Sequence, residues 1–564
     1  MSDALGKFQP PHAGLEIQRR HFLKGLAGVA AGAVVVSATG ADSVLATARH
    51  PRGDNIPDPH PRRWGDQGNG TYCNPVIPAD YSDIDAIRVG NDYYAYSSTF
   101  QYSPGVIILH SSDLVNWRIL AHAVDDLTRI GPDLGWQRMN RYGRGVWAGS
   151  IRYHQGQFWI YFCTPNEGLF MVRTTSGNPA GPWTPVHCLW RVSGWDDPCS
   201  FWDDDGQGYV VMSNFSGGYK IHLFKLTPDG RNIIHSSGRV IHQSRGSEAN
   251  KLYKINGYYY HLYSQVEREG RVVMMDRSRN IYGPYKTRQL DDVNPRIDRE
   301  PNQGGLVQIP SGEWYFLTQQ GTGGHWDGRT MCLLPVTWVD NWPIIGRVGA
   351  DGRGQMVWEA KKPVNGFPLA QPQSSDDFNN PKLGVQWEWN YQPRADKWSL
   401  TQRPGFLRLH AFKPLQRGNL LKAGNTLTQR VMGVPKNNAT MRMEISAMAN
   451  GQQAGLCHFS ARPGAVGVIQ QRGIRRLFHR MNNKITTGPV ITGDVVYLRS
   501  TWDYQGVSHF SYSLHGNDFT PFAPPYQLIW SFYRGDRLGI FSFNDQSEAG
   551  FIDVDWFTYH FSHP

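Results

Sequence analysis

DIDAIRVGNDYYAYSS, residues 83–98, reads as a strand, a tight turn at Gly90 and a second strand dense in aromatics. The phrase returns four times. It recurs as GSIRYHQGQFWIYFC from Gly149, DPCSFWDDDGQGYVVMS from Asp197, EANKLYKINGYYYHLYS from Glu248 and QGGLVQIPSGEWYFLT from Gln303. The turn glycines stand at 90, 156, 206, 257 and 312. Hairpins at near-regular spacing predict four-stranded blades, and five copies predict a five-bladed β-propeller. Independent hairpins of a β-sandwich are the competing reading. Between the repeats, SSDLVNW (111–117), AGPWTP (180–185) and YGPYKT (282–287) echo one another as approaches to outer strands.

Counting back from each turn glycine locates a second recurrence. Asp83 and Gly149 stand seven residues before theirs; Asp197, Glu248 and Gln303 stand nine before theirs. The two offsets differ by two residues, the side-chain period of a strand, so these positions are expected on one face near one end of each inner strand. The same parity favours Asp197 over Asp196. It does not separate Asp83 from Asp85, which lies further along the strand. Innermost strands line a propeller's axis, so Asp83, Asp197 and Glu248 are expected to meet at one mouth of the channel. Burying carboxylates is costly unless they are paired or used. Cleaving a glycosidic bond uses such a set: one carboxylic acid protonates the leaving oxygen and one carboxylate activates water. A structural or metal-binding ring of acids is the alternative reading of these residues.

The rest of the chain is consistent with a β-rich protein of two or three units. It has 564 residues, 40% hydrophobic and 13% aromatic, with 20 Trp. The net charge of +10 comes without a dense basic run after the N-terminus, which argues against a nucleic-acid partner. The six cysteines show no metal-ligand spacing and suggest buried thiols, with one bridge left open. Residues 18–26, QRRHFLKGL, place the pair Arg19-Arg20 before a short Gly/Ala-rich apolar run, and Ala46-Thr47-Ala48 follows as a cleavage site. This reads as a twin-arginine signal over 1–48, giving a bacterial protein that is periplasmic or secreted and free of the membrane once the signal is removed. Residues 49–68 read as a linker, and 69–365 as the propeller.

After about residue 365 the hairpin phrase stops. ATMRMEISAM (439–448), VSHFSYSLHG (507–516) and FIDVDWFTYHF (551–561) alternate as strands do, so 374–564 is expected to be a second all-β domain, a β-sandwich. Trp387 and Trp389 alternate onto one face and are expected in its core rather than on a sugar platform.

Several motifs carry a resemblance. NPVIPADYSDIDAIRVGNDYYAYSSTF (74–100), GVWAGSIRYHQGQFWIYFCT (145–164), GWDDPCSFWDDDGQGYVV (194–211) and SEANKLYKINGYYYHLY (247–263) resemble glycoside hydrolase family forty-three. PNQGGLVQIPSGEWYFLTQQGTGGHWDGR (301–329) and LLPVTWVDNWPIIG (333–346) continue it, in order, through every blade. The resemblance implies an inverting enzyme acting on xylose- or arabinose-containing glycans. Asp83 would be the general base, Glu248 the general acid and Asp197 the residue that tunes and orients the acid. Inversion would place base and acid about 6.5–9.5 Å apart. Trp147, Phe100, Gln303 and Arg329 would contact the sugar. Residues 374–564 resemble the jelly-roll, concanavalin-like domain appended to many β-xylosidases of the family. In relatives such a domain can push a loop towards the propeller mouth, which favours release of single terminal sugars. An exo-acting β-xylosidase is the leading expectation. An α-L-arabinofuranosidase and a non-catalytic glycan-binding propeller are the alternatives. The sequence departs from the family at two places: Ile84 follows the base where proline is frequent, and Asn302 stands where a histidine often helps to hold calcium. No cofactor is therefore expected to be required and no metal ligand is assigned, although carboxylates and Asn302 could still bind calcium.

Overall fold

A computed structural model describes residues 63–564 apart from 269, 292–300, 321–324 and 482–483. The twin-arginine segment and most of the linker lie outside the described residues. The linker's last residues do not behave as one: Gly65–Asp66 form a strand that pairs with Thr71–Cys73, which in turn pairs with Glu359–Lys361.

Five antiparallel sheets follow in chain order. Blade one holds Asp85–Val89, Asp92–Ser97, Gly105–Ser111 and Trp117–Val124. Blade two holds Gly149–His154, Gln157–Thr164, Gly168–Arg173 and His187–Trp190. Blade three holds Trp195–Trp202, Gly208–Asn214, Lys220–Leu226 and Ile233–Gln243. Blade four holds Glu248–Ile255, Tyr258–Val266, Arg271–Ser278 and Lys286–Gln289. Blade five holds Pro301–Gln308, Trp314–Gln320, Thr330–Val339 and Trp342–Ile345, with Ile77–Asp80 added beside its third strand. The first strand of each blade touches the first strand of the next, and blade five touches blade one, so the inner strands close a ring. The N-terminal strands on the last blade and on Glu359–Lys361 tie that ring shut.

Each blade is sandwiched between two others, so its strands bury both faces. That is why Gly105–Ser111 (GVIILHS) is apolar almost without alternation. Separate apolar clusters fill the seams. Ile108, Phe158 and Ile160 pack between blades one and two, and Trp159, Trp195 and Val210 between two and three. Val211, Leu252 and Tyr263 fill the next seam, and Leu262, Phe316 and Leu334 the one after it. Burying one such side chain contributes about 1.5–3 kcal/mol. The hairpin turns fit their residues: Gln155-Gly156 and Asn256-Gly257 are two-residue loops with both φ positive, the geometry that matches strand twist.

The second domain is a sandwich of two antiparallel sheets. One runs Lys484–Val490, Ile474–Met481, Gly464–Gln471, Gln452–His458, Arg537–Asn544, Leu427–Arg430 and Glu388–Asn390, and its last member is Tyr102–Ser103 from the propeller. The other is built on Phe551–Phe561, Asn437–Glu444 and Val495–Trp502. Trp387 and Trp389 are buried in the core between them. The described residues contain no α-helix, only four short 3-10 turns. Five of the six cysteines are buried.

Candidate active site

The mouth of the channel lies at the starting ends of the inner strands. There the ladder breaks. Register shifts by one residue between Asp196 and Cys199 in blade three, and between Glu248 and Lys251 in blade four. Backbone at these ends is left-handed: φ is 59° at Asp83, 50° at Asp197 and 67° at Ala249. Bulges bend a strand and re-aim its side chains. Here the bulges lie beside Asp197 and Glu248, while Asp83, on a strand without one, is aimed by its own left-handed backbone. Counting from the turn glycines picked out acids that the structure gathers at one mouth, but the offsets do not measure one strand period. Gly90 opens a two-residue loop, Gly257 closes one, and Gly206 sits inside a five-residue loop between Trp202 and Gly208.

Each acid has its own setting. Arg329 grips Asp83 with both arms of its guanidinium, at 2.7 and 3.3 Å, and the Ser98 hydroxyl donates to Oδ2 at 2.6 Å. Gln319 accepts the Asp83 backbone N–H and donates at 2.9 Å to Asn302 Oδ1. Arg329 is itself placed by Asp80, whose carboxylate accepts its backbone N–H at 3.1 Å. Glu248, with 27% of its side chain exposed, meets Arg271 at 3.1 Å. Asp197 is buried, and its Oδ2 accepts the Ala249 N–H at 2.5 Å. Burial raises the Asp197 carboxyl to about 7, aided by the charges of Glu248 and Asp83 and opposed by the Ala249 N–H and Lys251.

Carboxylate oxygens of Asp196, Asp197 and Glu248 lie within 4.8 Å of one another. Such a cluster attracts cations, and the chain supplies its own: Arg271 bridges to Glu248 and the Lys251 charge acts on Asp197. The Asn302 oxygen that stands in the histidine position is engaged by Gln319. Asp85, the acid that parity left undecided, lies deeper, fully buried and paired with Arg152 at 2.6 Å.

Trp147 stands beside this mouth, half-buried, its indole donating to Gly143 O at 3.3 Å. Its ring faces Phe215 of the propeller at 6.5 Å and Tyr533 of the sandwich at 6.1 Å. Phe100 is buried, with the Arg534 guanidinium 5.5 Å over its ring, and so offers little surface to a ligand. Gln303 is buried, and its amide nitrogen has no protein partner among the described residues. Arg271, Gln319, Lys251 and Tyr533 escaped the sequence reading. None repeats between blades, and only the asparagine at 302 hinted that the fifth blade's hydrogen bonding was unusual.

A five-bladed propeller with carboxylates from three blades at one mouth defines a propeller glycosidase. The comparisons name the family. Glycosyl hydrolases family 43 matches residues 72–343, and the chain belongs to that family. The beta xylosidase C-terminal concanavalin A-like domain matches residues 375–560, and the twin-arginine translocation signal matches 16–36, so the chain carries an export signal for the periplasm or the exterior. A beta-xylosidase of Formosa agariphila is 36% identical over 551 residues, covering 89% of this chain and 92% of its own. A non-reducing end alpha-L-arabinofuranosidase of Bacteroides ovatus is 33% identical over 60% of this chain and 65% of its own. The crystal structure of a family 43 protein from Bacillus licheniformis, a K247S mutant, superposes with a TM-score of 0.75 at 26% identity, covering 87% of this chain and 100% of that one.

Proposed function

We propose that this enzyme releases terminal xylose from xylan-type oligosaccharides with inversion, as an exo-acting β-xylosidase. Asp83 takes a proton from the attacking water, Glu248 gives one to the leaving oxygen, and Asp197 tunes and orients Glu248. The observation that carries the exo reading is the sandwich's Tyr533 standing against Trp147, whose backbone carbonyl accepts from Tyr96, a neighbour of Asp83 and Asp197. A wall contributed by a second domain closes one side of the mouth and favours chain ends over chain middles. Arg329 holds the base in a fixed fork through its two terminal nitrogens, which leaves Nε–H, without a partner among the described residues, as a remaining donor. The arabinofuranosidase among the relatives supports α-L-arabinofuranosidase as the second reading. The reaction proceeds without a bound metal: the cationic side chains already around the acids, Arg271, Arg329 and Lys251, support this, as does the engagement of Asn302.

Hydrolysis of aryl β-xyloside and aryl α-L-arabinofuranoside separates the two readings. Glu248→Gln is expected to lower kcat by roughly 10²–10⁴-fold. Wild-type rates in that variant would remove Glu248 from the mechanism, and cleavage of neither glycoside by the native enzyme would remove the substrate assignment. Proton NMR should show the inverted anomer first. Dialysis against a calcium chelator should leave the rate unchanged.

A further inference from the structure

Lys251 lies three residues beyond Glu248 on the same inner strand, with no exposed surface. Lysine is almost never fully buried unless paired. Its ammonium donates to the neutral carbonyl of Asn250 at 3.1 Å. The Asn250 amide in turn donates at 3.0 Å to the backbone oxygen of Asp197 and at 2.9 Å to Ser213 Oγ, so Asn250 hydrogen-bonds to the Lys251 ammonium through its carbonyl and to the Asp197 backbone through its side chain.

The charged and titratable groups around it come from every blade. Blade one offers Asp83 and Asp85, and blade two offers Arg152. Blade three offers Asp196, Asp197 and Cys199. Blade four adds Glu248, Tyr253, Arg271 and His261, whose Nε2 meets Asn250 Oδ1 at 3.0 Å and whose ring is paired with the buried Asp276, and blade five adds Arg329. Most of the charges have partners: Asp85 pairs with Arg152, Asp83 with Arg329 and Glu248 with Arg271. Asp197 forms no salt bridge within 4.0 Å among the described residues. The Lys251 charge reaches both Asp197 and the Cys199 thiol. Among the described residues, then, a buried ammonium without a contacting carboxylate and a buried carboxylate without a contacting cation are joined through Asn250, in a low-dielectric interior where charges interact strongly without touching.

We propose that Lys251 is a positioning residue for the proton transfer: its buried ammonium is the fixed counter-charge of Asp197, and through Asp197 it sets the pH at which the Asp197–Glu248 pair gives up its proton. The proposal rests on Glu248 being the acid. Glu248→Gln tests that assignment separately, so a failure there is told apart from a failure here.

The measurement is the pH profile of kcat/KM for wild type, Lys251→Met and Lys251→Arg. Removing the cation disfavours ionised carboxylates, so the Met variant should move the falling limb, which the Asp197–Glu248 pair sets, to higher pH by about half to one unit. Arg keeps the charge and should leave that limb in place. A Met variant with slower turnover but an unmoved falling limb overturns the proposal, since a packing role changes rate without changing titration. Equal displacement by Arg and Met overturns it too. Thermal stability at pH 8 gives a second readout through the cycle of Lys251→Met, Asp197→Asn and the double variant. The double variant should recover stability lost by Lys251→Met, and strictly additive losses overturn the pairing. Should Lys251→Met fail to fold alone, recovery of folding in the double variant supports the pair and failure to recover overturns it.

Discussion

Three carboxylates of similar chemistry sit in different surroundings. Asp83 is held by the forked Arg329, Glu248 keeps one face open beside Arg271, and Asp197 is buried against a backbone N–H. The pH behaviour follows. Burial and its two acidic neighbours raise the Asp197 carboxyl to about 7, so the Asp197–Glu248 pair retains a proton up to neutrality and loses it above. The proposed reaction needs that proton, so kcat/KM is expected to fall as pH rises past about 7. Asp197→Asn removes one negative neighbour from the pair. It should displace the falling limb to lower pH and lower the maximum rate, as a pH profile on aryl β-xyloside would show. At this scale the sequence was highly legible. The hairpin repeat pointed to three acids that the fold gathers together, because each stands near the start of a strand whose turn is written locally. Their partners were not: Arg329 lies 246 residues from Asp83, and nothing in a local pattern links them.

Single elements do the placing. The one-residue bulges and left-handed residues at the strand starts hold backbone in sparsely populated conformations, and such strain collects where side chains must be aimed. A loop of the sandwich does comparable work from outside. Phe532 and Tyr533 both have positive φ; Phe532 meets the Tyr142 ring at 5.5 Å, and Tyr533 meets Trp147. Gly143 makes this approach possible. A Cβ there would stand 2.4 Å from the Phe532 Cβ, and φ at Gly143 is 70°. Gly143→Ala should therefore push the loop from the mouth. We expect kcat/KM on short xylo-oligosaccharides to fall at least tenfold, roughly 1.4 kcal/mol of transition-state binding, while Glu248-dependent chemistry persists on activated aryl glycosides. Comparing the two substrate classes checks it. A sequence reader sees Gly143 as one turn residue among many, because the ring that occupies its missing side chain comes from the other domain.

Across the whole molecule the two domains form one body. Tyr102–Ser103 of blade one completes a sandwich sheet by pairing with Glu388–Asn390. Beneath that seam Glu388 is fully buried, accepting from Arg430 at 2.8 Å and Arg537 at 2.6 Å and meeting His122 of the propeller at 3.1 Å. Arg430 also donates to the Asp80 carbonyl at 2.6 Å, and the Asp80 carboxylate positions Arg329. The domain attached to the propeller thus supports the grip on Asp83 through two intermediaries. Burial opposes ionisation of Glu388, but the two guanidiniums outweigh it and hold its carboxyl far below the ordinary range. A depressed carboxyl contributes stability that is complete above about pH 4.5 and is lost as pH falls. Glu388→Gln leaves two buried arginines without their carboxylate and should cost about 3–5 kcal/mol at pH 7. Urea unfolding at pH 7 and pH 4 checks this: the difference between variant and wild type should be smaller at the lower pH. Both domains should unfold in one transition.

The amino-acid sequence alone determined the repeat, its number, the acids and the change of pattern after residue 365. Each is a local message: alternation, turn glycines, and a carboxylate at a fixed place beside them. Only the tertiary structure decided which cation meets which acid, that Lys251 is fully buried, and that a sandwich loop packs against Tyr142 and Trp147. Those facts depend on contacts between segments hundreds of residues apart. Charge and ring contacts across such separations have no period for a sequence to display, and they exist only once the ring has closed and the sandwich has docked on it.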